Sequence, residues 1–484
     1  MSLELTGTLL VATPGLVFLS LVTAWLLGWN GKEKVLARVT LTTYSLLTVG
    51  VAALGWGVWR AGLPSLTVTH GNWFQAGEYG FPLALVFDRL SLPMAALTIV
   101  LVGIVGSFSV RYLHRDPGYF RFFLLLHLFG FGSLLVFTAA SLDLLVAGWE
   151  LVGITSVLLI GFFQNRPEPA RNALRVFATY RVADVFMLLG VFLSHHWFGT
   201  AMWRELFSGE WPAHGHEMHG GGGVVVCLLL ILAACGKSSQ GPFSGWLPRA
   251  MEGPTPSSAV FYGAISVHAG AYLLLRIQPL IAESWIATGF LLFVGSTTAF
   301  LATLIHRTCA DAKTSLAYAS MTQLGIIFCE VAMGWTTLAL LHTIGHAAVR
   351  TAQFLRAPSM LHDYHRLHAA AGGRLAETGT HYDSLVPKKA QLWLYTLGLE
   401  RGCYDALLER FVLHPARWFS AMLGRLEPAD WFGRAGEDPS LGPGARFAAT
   451  PSPESLKAAS QPAHRSDLED RASSHPILEK ESHV

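Results

Sequence analysis

Two ionisable side chains fall in the middle of apolar runs. Glu150 lies within residues 142–163, LDLLVAGWELVGITSVLLIGFF, and Lys237 within residues 228–245, LLLILAACGKSSQGPFSG. An ionised group at bilayer depth costs ~3 kcal/mol or more, so such groups face a partner or a water-filled path. A carboxylate and an ammonium on neighbouring helices hold each other charged; moved apart, each shifts toward its neutral form. A chain that alternates between those states takes up and releases protons, whereas one that does not is pinned by a static ion pair. His342 and His346 stand four apart with Arg350 one turn beyond, so all three share a helix face. Histidine exchanges protons near neutral pH, while Arg350 stays cationic and biases its neighbours. A hydrogen-bonded core pair is the alternative for these histidines. Arg181 and Asp184, three apart, read as a structural ion pair. Asp143 and Glu330 are nearer run ends, where their carboxylates can snorkel to the interface.

The elements that must position these residues are membrane spans. Hydrophobic residues make up 52% of the chain and charged ones 14%, against about 25% charged in soluble domains, and the mean hydropathy is +0.43. A net charge of +2 gives no footprint for nucleic acid. Runs near the ~20 residues a spanning helix needs occur at 8–28, 39–60, 89–110, 119–139, 142–163, 172–194, 224–246, 255–277, 285–305, 314–334 and 335–356. The expected fold is therefore an all-α integral membrane protein with about 11 transmembrane helices. Gly236, Gly241 and Pro242 interrupt the seventh run and Gly253-Pro254-Thr255-Pro256 opens the eighth, so both are expected to be broken helices. Lys and Arg concentrate in alternate loops, which predicts an outward N-terminus and a cytoplasmic C-terminus. The first run lacks a basic leader and a small-residue cleavage site, so it is expected to be retained.

Residues 1–356 are thus expected to form a polytopic ion-translocating domain. Residues 357–434 read as a cytoplasmic or interfacial region with an amphipathic helix over 391–424, broken at Pro415, and 435–484 as a disordered tail. The five cysteines show no CxxC spacing, so no disulfide framework or structural zinc site is expected. His214, His216 and His219 in the loop HGHEMHGGGG invite a metal, but a Gly-rich loop offers no fixed second shell; it reads as a solvated loop, and no metal is assigned.

Several motifs occur in a telling order. FDRLS at 87–91, GWELVG at 148–153, RVAD at 181–184, GKSSQ at 236–240, GPTPSSA at 253–259 and LAYAS at 316–320 resemble the antiporter-like membrane subunits. These are the L-type subunit of respiratory complex I and its relatives in multisubunit sodium/proton antiporters. The resemblance implies that Glu150 and Lys237 are the key pair of a first half-channel, and that His342 and His346 are its central histidines. Tyr262 stands where the respiratory subunit carries a histidine; His268 follows six residues on, ~9 Å along a helix. Arg350 stands where that subunit has a lysine, and the twelfth span with its exit-side lysine has no counterpart. Those departures resemble the DabB branch, the membrane subunits of two-component bacterial systems that accumulate inorganic carbon. That resemblance implies a large cytoplasmic DabA-like zinc partner, with this chain in the inner membrane carrying H+ or Na+ but holding no cofactor and catalysing no reaction itself. A respiratory or antiporter subunit, and a membrane anchor that conducts nothing, are the alternatives.

Overall fold

A computed structural model describes residues 2–370, apart from 30, 78, 209–210, 214 and 310, together with 386–403 and a few positions between 410 and 422. Residues 1–409 form one compact unit and 410–484 a second. The first unit is mostly helical, as expected. Its opening helices are α1 (Leu3–Leu26) and α2 (Glu33–Arg60), followed by a hairpin of β1 (Leu66–Ala76) and β2 (Tyr79–Phe87). Then come α3 (Ser91–Tyr112), α4 (Tyr119–Thr138), α5 (Leu142–Ile160) and α6 (Pro167–Phe198). A loop with the short α7 (Trp203–Leu206), β3 (Phe207–Ser208) and β4 (Gly215–His216) leads to α8 (Gly220–Lys237). Beyond it lie α9 (Thr255–Ser258), α10 (His268–Arg276), α11 (Gln278–Glu283), α12 (Trp285–Thr308), α13 (Ala312–Ala332), α14 (Thr336–Ala370) and α15 (Lys388–Leu399).

Among the described residues nine helices are long and apolar enough to cross a membrane: α1 to α6, α8, α12 and α13. Four of them, α1, α5, α12 and α13, start on a side-chain cap. Ser141 Oγ accepts from Leu144 N–H at α5, and an Asp311 carboxylate oxygen accepts from Thr314 N–H at α13. Large apolar side chains such as Leu46, Trp59, Phe192 and Phe293 remain exposed on the outer helix faces, which suits a lipid solvent.

The two interrupted runs break as expected. The seventh ends as a helix at Lys237, and the eighth is split into α9, a wide π-type turn over Ala259–Ala264, and α10. Side chains take up the backbone groups set free. Trp246 Nε1 donates to Gly236 O at 2.9 Å, Gln240 Nε2 to Ser238 O at 3.1 Å, and Gly241 N–H to Thr298 Oγ1 at 3.0 Å. Buried in a bilayer-depth core, each of these groups would otherwise cost several kcal/mol.

Three features go beyond the expected pattern. The β1–β2 hairpin pairs antiparallel from Leu66 with Phe87 to Ala76 with Tyr79, and Ala140 N–H donates to Ala84 O at 3.0 Å, stitching it to the α4–α5 connection. The eleventh run does not stop at 356: α14 continues for 35 residues to Ala370, ~50 Å and longer than the hydrocarbon core. The helix expected over 391–424 begins earlier and is shorter; α15 packs on α12, with Gly398 against Leu304, and turns Leu392, Trp393 and Tyr395 outward. The tail expected at 435–484 lies outside the described residues.

Candidate functional site

Lys237 is the last residue of α8 and is 1% exposed. Its Nζ donates to the Trp149 carbonyl at 2.9 Å and sits 5.0 Å from the Trp149 ring and 4.6 Å from the Tyr180 ring. Cation–π attraction and one carbonyl dipole are thus the immediate stabilisers of the ammonium. Gly153 makes the room: a Cβ there would lie 3.1 Å from Nζ. Among the described residues no carboxylate comes within 4 Å of Nζ, so the direct Glu150–Lys237 pair expected from the sequence is replaced by an indirect one. The reason is helical. Glu150 and Trp149 are consecutive, so their side chains diverge by about 100°, and the Trp149 backbone and indole meet Lys237 instead.

Glu150 is ion-paired with Arg181. Arg181 also donates to Asp184 Oδ2 at 2.7 Å, and Asp184 Oδ1 accepts from Trp149 Nε1 at 2.7 Å. Arg181 and Asp184 therefore form the expected local pair, and Arg181 additionally joins it to Glu150. The result is a continuous polar chain, Glu150–Arg181–Asp184–Trp149–Lys237, with two anionic and two cationic side chains. Charge balance makes the cluster tolerable at depth. Sharing one guanidinium between two carboxylates means that protonating either would leave the other still paired.

The second cluster spans α10, α13 and α14. Arg350 Nε, which can only donate, reaches His346 Nε2 at 3.4 Å. That fixes the His346 proton on Nδ1, which stands 2.8 Å from His268 Nε2, so His346 donates and His268 accepts. His342 lies next along the face, its ring 6.4 Å from that of His346. Its Nδ1 is 2.9 Å from Glu330 Oε1 and its Nε2 is 3.0 Å from Gln323 Oε1. A row Glu330–His342–His346–His268 results, buried except at the half-buried His342, with Arg350 alongside. His268 joins this row because the break after Ala264 restarts the helix at His268. Tyr262 lies in the π-type turn, and its side chain lies outside the described residues.

Neither Asp143 nor Glu330 snorkels. Both are buried, each against a histidine: Asp143 Oδ1 meets His195 Nε2 at 2.9 Å, and Glu330 meets His342. Sequence position alone hides the partner histidines, which come from other helices.

A further polar clamp was not legible in the sequence. Buried Arg276 at the end of α10 grips Asp88, which precedes α3; Nη2 donates to Oδ1 at 3.1 Å and Nη1 pairs with Oδ2. Arg276 Nε donates to the Tyr272 hydroxyl at 3.0 Å, which donates to Phe137 O at 2.8 Å. Burial penalises the Asp88 carboxylate, but the Arg276 guanidinium and the Leu90 and Ser91 amides outweigh it and hold its pKa below the ordinary value. Asp88 was visible only as part of FDRLS; Arg276 carried no signal beyond its charge.

Comparison with known proteins agrees with this architecture. The family described as "NADH:quinone oxidoreductase/Mrp antiporter, TM" matches residues 139–378, and that described as "NADH-Ubiquinone oxidoreductase (complex I), chain 5 N-terminus" matches 73–123. NADH-ubiquinone oxidoreductase chain 5 of Neurospora crassa is 31% identical over 72% of this chain and 48% of its own length. The chloroplastic NAD(P)H-quinone oxidoreductase subunit 5 of Oryza sativa is 36% identical over 58% of this chain and 39% of its own. Among solved structures, the Mrp complex of Dietzia sp. aligns with a TM-score of 0.61 at 26% identity, over 73% of this chain and 37% of the matched chain. A chain of the membrane-bound sulfane sulfur reductase, an archaeal respiratory membrane complex, shares the fold with a TM-score of 0.60 at 20% identity, over 72% of this chain and 70% of the other. The chain belongs to the antiporter-like membrane subunit family of complex I and Mrp antiporters, and is a multi-pass membrane protein. It spans less than half the length of these curated relatives.

Proposed function

We propose that this chain is an ion-translocating subunit of a multisubunit membrane complex of the respiratory or Mrp-antiporter kind, with H+ as the carried ion and Na+ as the alternative. The observation that carries the reading is Lys237: a fully buried amine at a helix break, held by aromatic rings and one carbonyl, and joined through Trp149, Asp184 and Arg181 to Glu150. Loss of the Lys237 proton leaves the cluster one negative charge in excess, which a proton on Glu150 or Asp184 balances, so the chain to Glu150 supplies the second titrating group. The His342–His346–His268 row offers a continuation. The test is ion movement in inverted vesicles containing the whole complex. Glu150→Gln and Lys237→Ala should each abolish it with insertion unchanged; full activity in both would leave the anchor reading.

A finer reading, coupling to inorganic-carbon accumulation with a DabA-like zinc partner, is supported by Tyr262, Arg350 and the pairing of His268 with His346. The relatives favour the respiratory or antiporter complex over it. In that reading the bacterial inner membrane holds the chain with its C-terminus in the cytoplasm, and residues 357–424 contact the partner. Growth in ambient air of a host lacking carbonic anhydrase, dependent on both proteins and abolished by a protonophore, distinguishes the two.

A further inference from the structure

The connection between α6 and α8 meets the end of α11 at a cluster that the ion path does not use. His216 ends β4, His219 follows three residues on, and Glu283 is the last residue of α11. Their ligand atoms all lie within 4.8 Å of one another, and the two imidazole centroids are 5.4 Å apart. His216 Nε2 faces the Glu283 carboxylate, and His219 Nδ1 stands 4.0 Å from Glu283 Oε1. The His216 side chain is 4% exposed, so its Nε2 is buried with the Glu283 carboxylate directly against it.

We propose that His216, His219 and Glu283 form a zinc site that clamps the α6–α8 connection to α11. Two imidazoles and one carboxylate are a borderline N2O set, suited to zinc with a water in the fourth position, and unlike the all-oxygen cages of Ca2+ or Mg2+. Tetrahedral ligands at zinc–ligand distances of ~2.0–2.1 Å stand ~3.4 Å apart. To reach that spacing His219 closes on Glu283 from 4.0 Å while the Glu283 carboxylate draws back from His216 Nε2, and the His219 and Glu283 side chains, 69% and 54% exposed, are free to make both moves. Met218 N–H donates to His216 Nδ1 at 3.2 Å, so in the metal-free chain the ring proton is on Nε2. Zinc takes the Nε2 lone pair, the proton moves to Nδ1, and the Met218 contact opens. The loop histidines alone offered no fixed second shell; the fold adds a carboxylate from the end of α11. Because α6 and α8 carry Asp184 and Lys237, and α10, directly before α11, carries His268, the clamp restrains the connections of both polar clusters.

The test uses the purified full chain in detergent, carrying a tag without histidine, titrated with zinc alone against a chromophoric chelator. Wild type should bind one equivalent, and zinc should raise its Tm. Glu283→Gln and His219→Ala alter exposed side chains, so they should keep the metal-free Tm, lose the zinc-dependent rise and weaken binding by about tenfold or more. Absence of stoichiometric binding would overturn the site. So would Glu283→Gln binding as tightly as wild type, which would leave only loop histidines chelating.

Discussion

Ser238 Oγ donates to the Val267 carbonyl at 2.7 Å, bridging the two broken helices at their breaks. Each residue adjoins a member of a polar cluster: Ser238 follows Lys237, and Val267 precedes His268. The contact is close because Gly270 lets α10 press on α8; a Cβ there would lie 2.3 Å from Ser238 Oγ and 2.6 Å from Ala234 O. One buried hydrogen bond thus joins the Glu150–Lys237 chain to the histidine row. It is worth ~1 kcal/mol net, yet leaving the Val267 carbonyl unsatisfied costs ~1–3 kcal/mol.

Ser238→Ala should therefore lower stability by about 1–3 kcal/mol and reduce ion movement more than its effect on folding explains. Thermal unfolding and flux measured on the same preparation check this. Unchanged flux would show that the clusters do not communicate here.

Gly153→Ala should separate function from folding. The new methyl group would stand 3.1 Å from Lys237 Nζ, the mobile end of a long side chain, so the ammonium gives by a few tenths of an ångström and its bond to the Trp149 carbonyl is re-aimed at little cost in packing. Stability should change by less than about 1 kcal/mol, while ion movement should fall by about tenfold or more. Wild-type flux in this variant would mean that the Lys237 position is not critical.

His268→Gln tests whether the row carries protons. The amide oxygen can still accept the His346 Nδ1 proton, so folding should be kept, but an amide does not pass a proton on. Flux should fall by about 10²-fold or more, the lower end of acid–base contributions. His268→Ala should lose both flux and stability.

Asp88→Asn should destabilise the chain by about 3–5 kcal/mol at pH 7, because it leaves Arg276 buried without its counter-charge. The folded-state pKa of Asp88 lies below its unfolded value, near ~3.9. Its contribution is therefore complete above about pH 4 and is lost as pH falls through the folded value. Denaturation at a series of pH values should show a constant gap between wild type and Asp88→Asn from pH 7 to about 5 that narrows below pH 4. A gap that stays constant in acid would assign the effect to packing.

Run length and hydropathy picked out nine of the eleven expected spans among the described residues, and the glycines and prolines near 236–242 and 253–256 showed that two runs break, because Pro lacks an N–H and Gly favours non-helical turns. Residue type likewise singled out Glu150, Lys237, His342 and His346, since ionisable side chains in apolar runs stand out without knowledge of any neighbour. Which partner each one meets was decided only by tertiary structure. Glu150 finds Arg181 rather than Lys237, Lys237 finds a carbonyl and two rings, Asp143 and Glu330 find histidines, and Arg276 finds Asp88. Those pairings depend on helix rotation and on where a broken helix restarts. A one-residue change in either turns a side chain by about 100°, and that is set by packing between elements far apart in the chain.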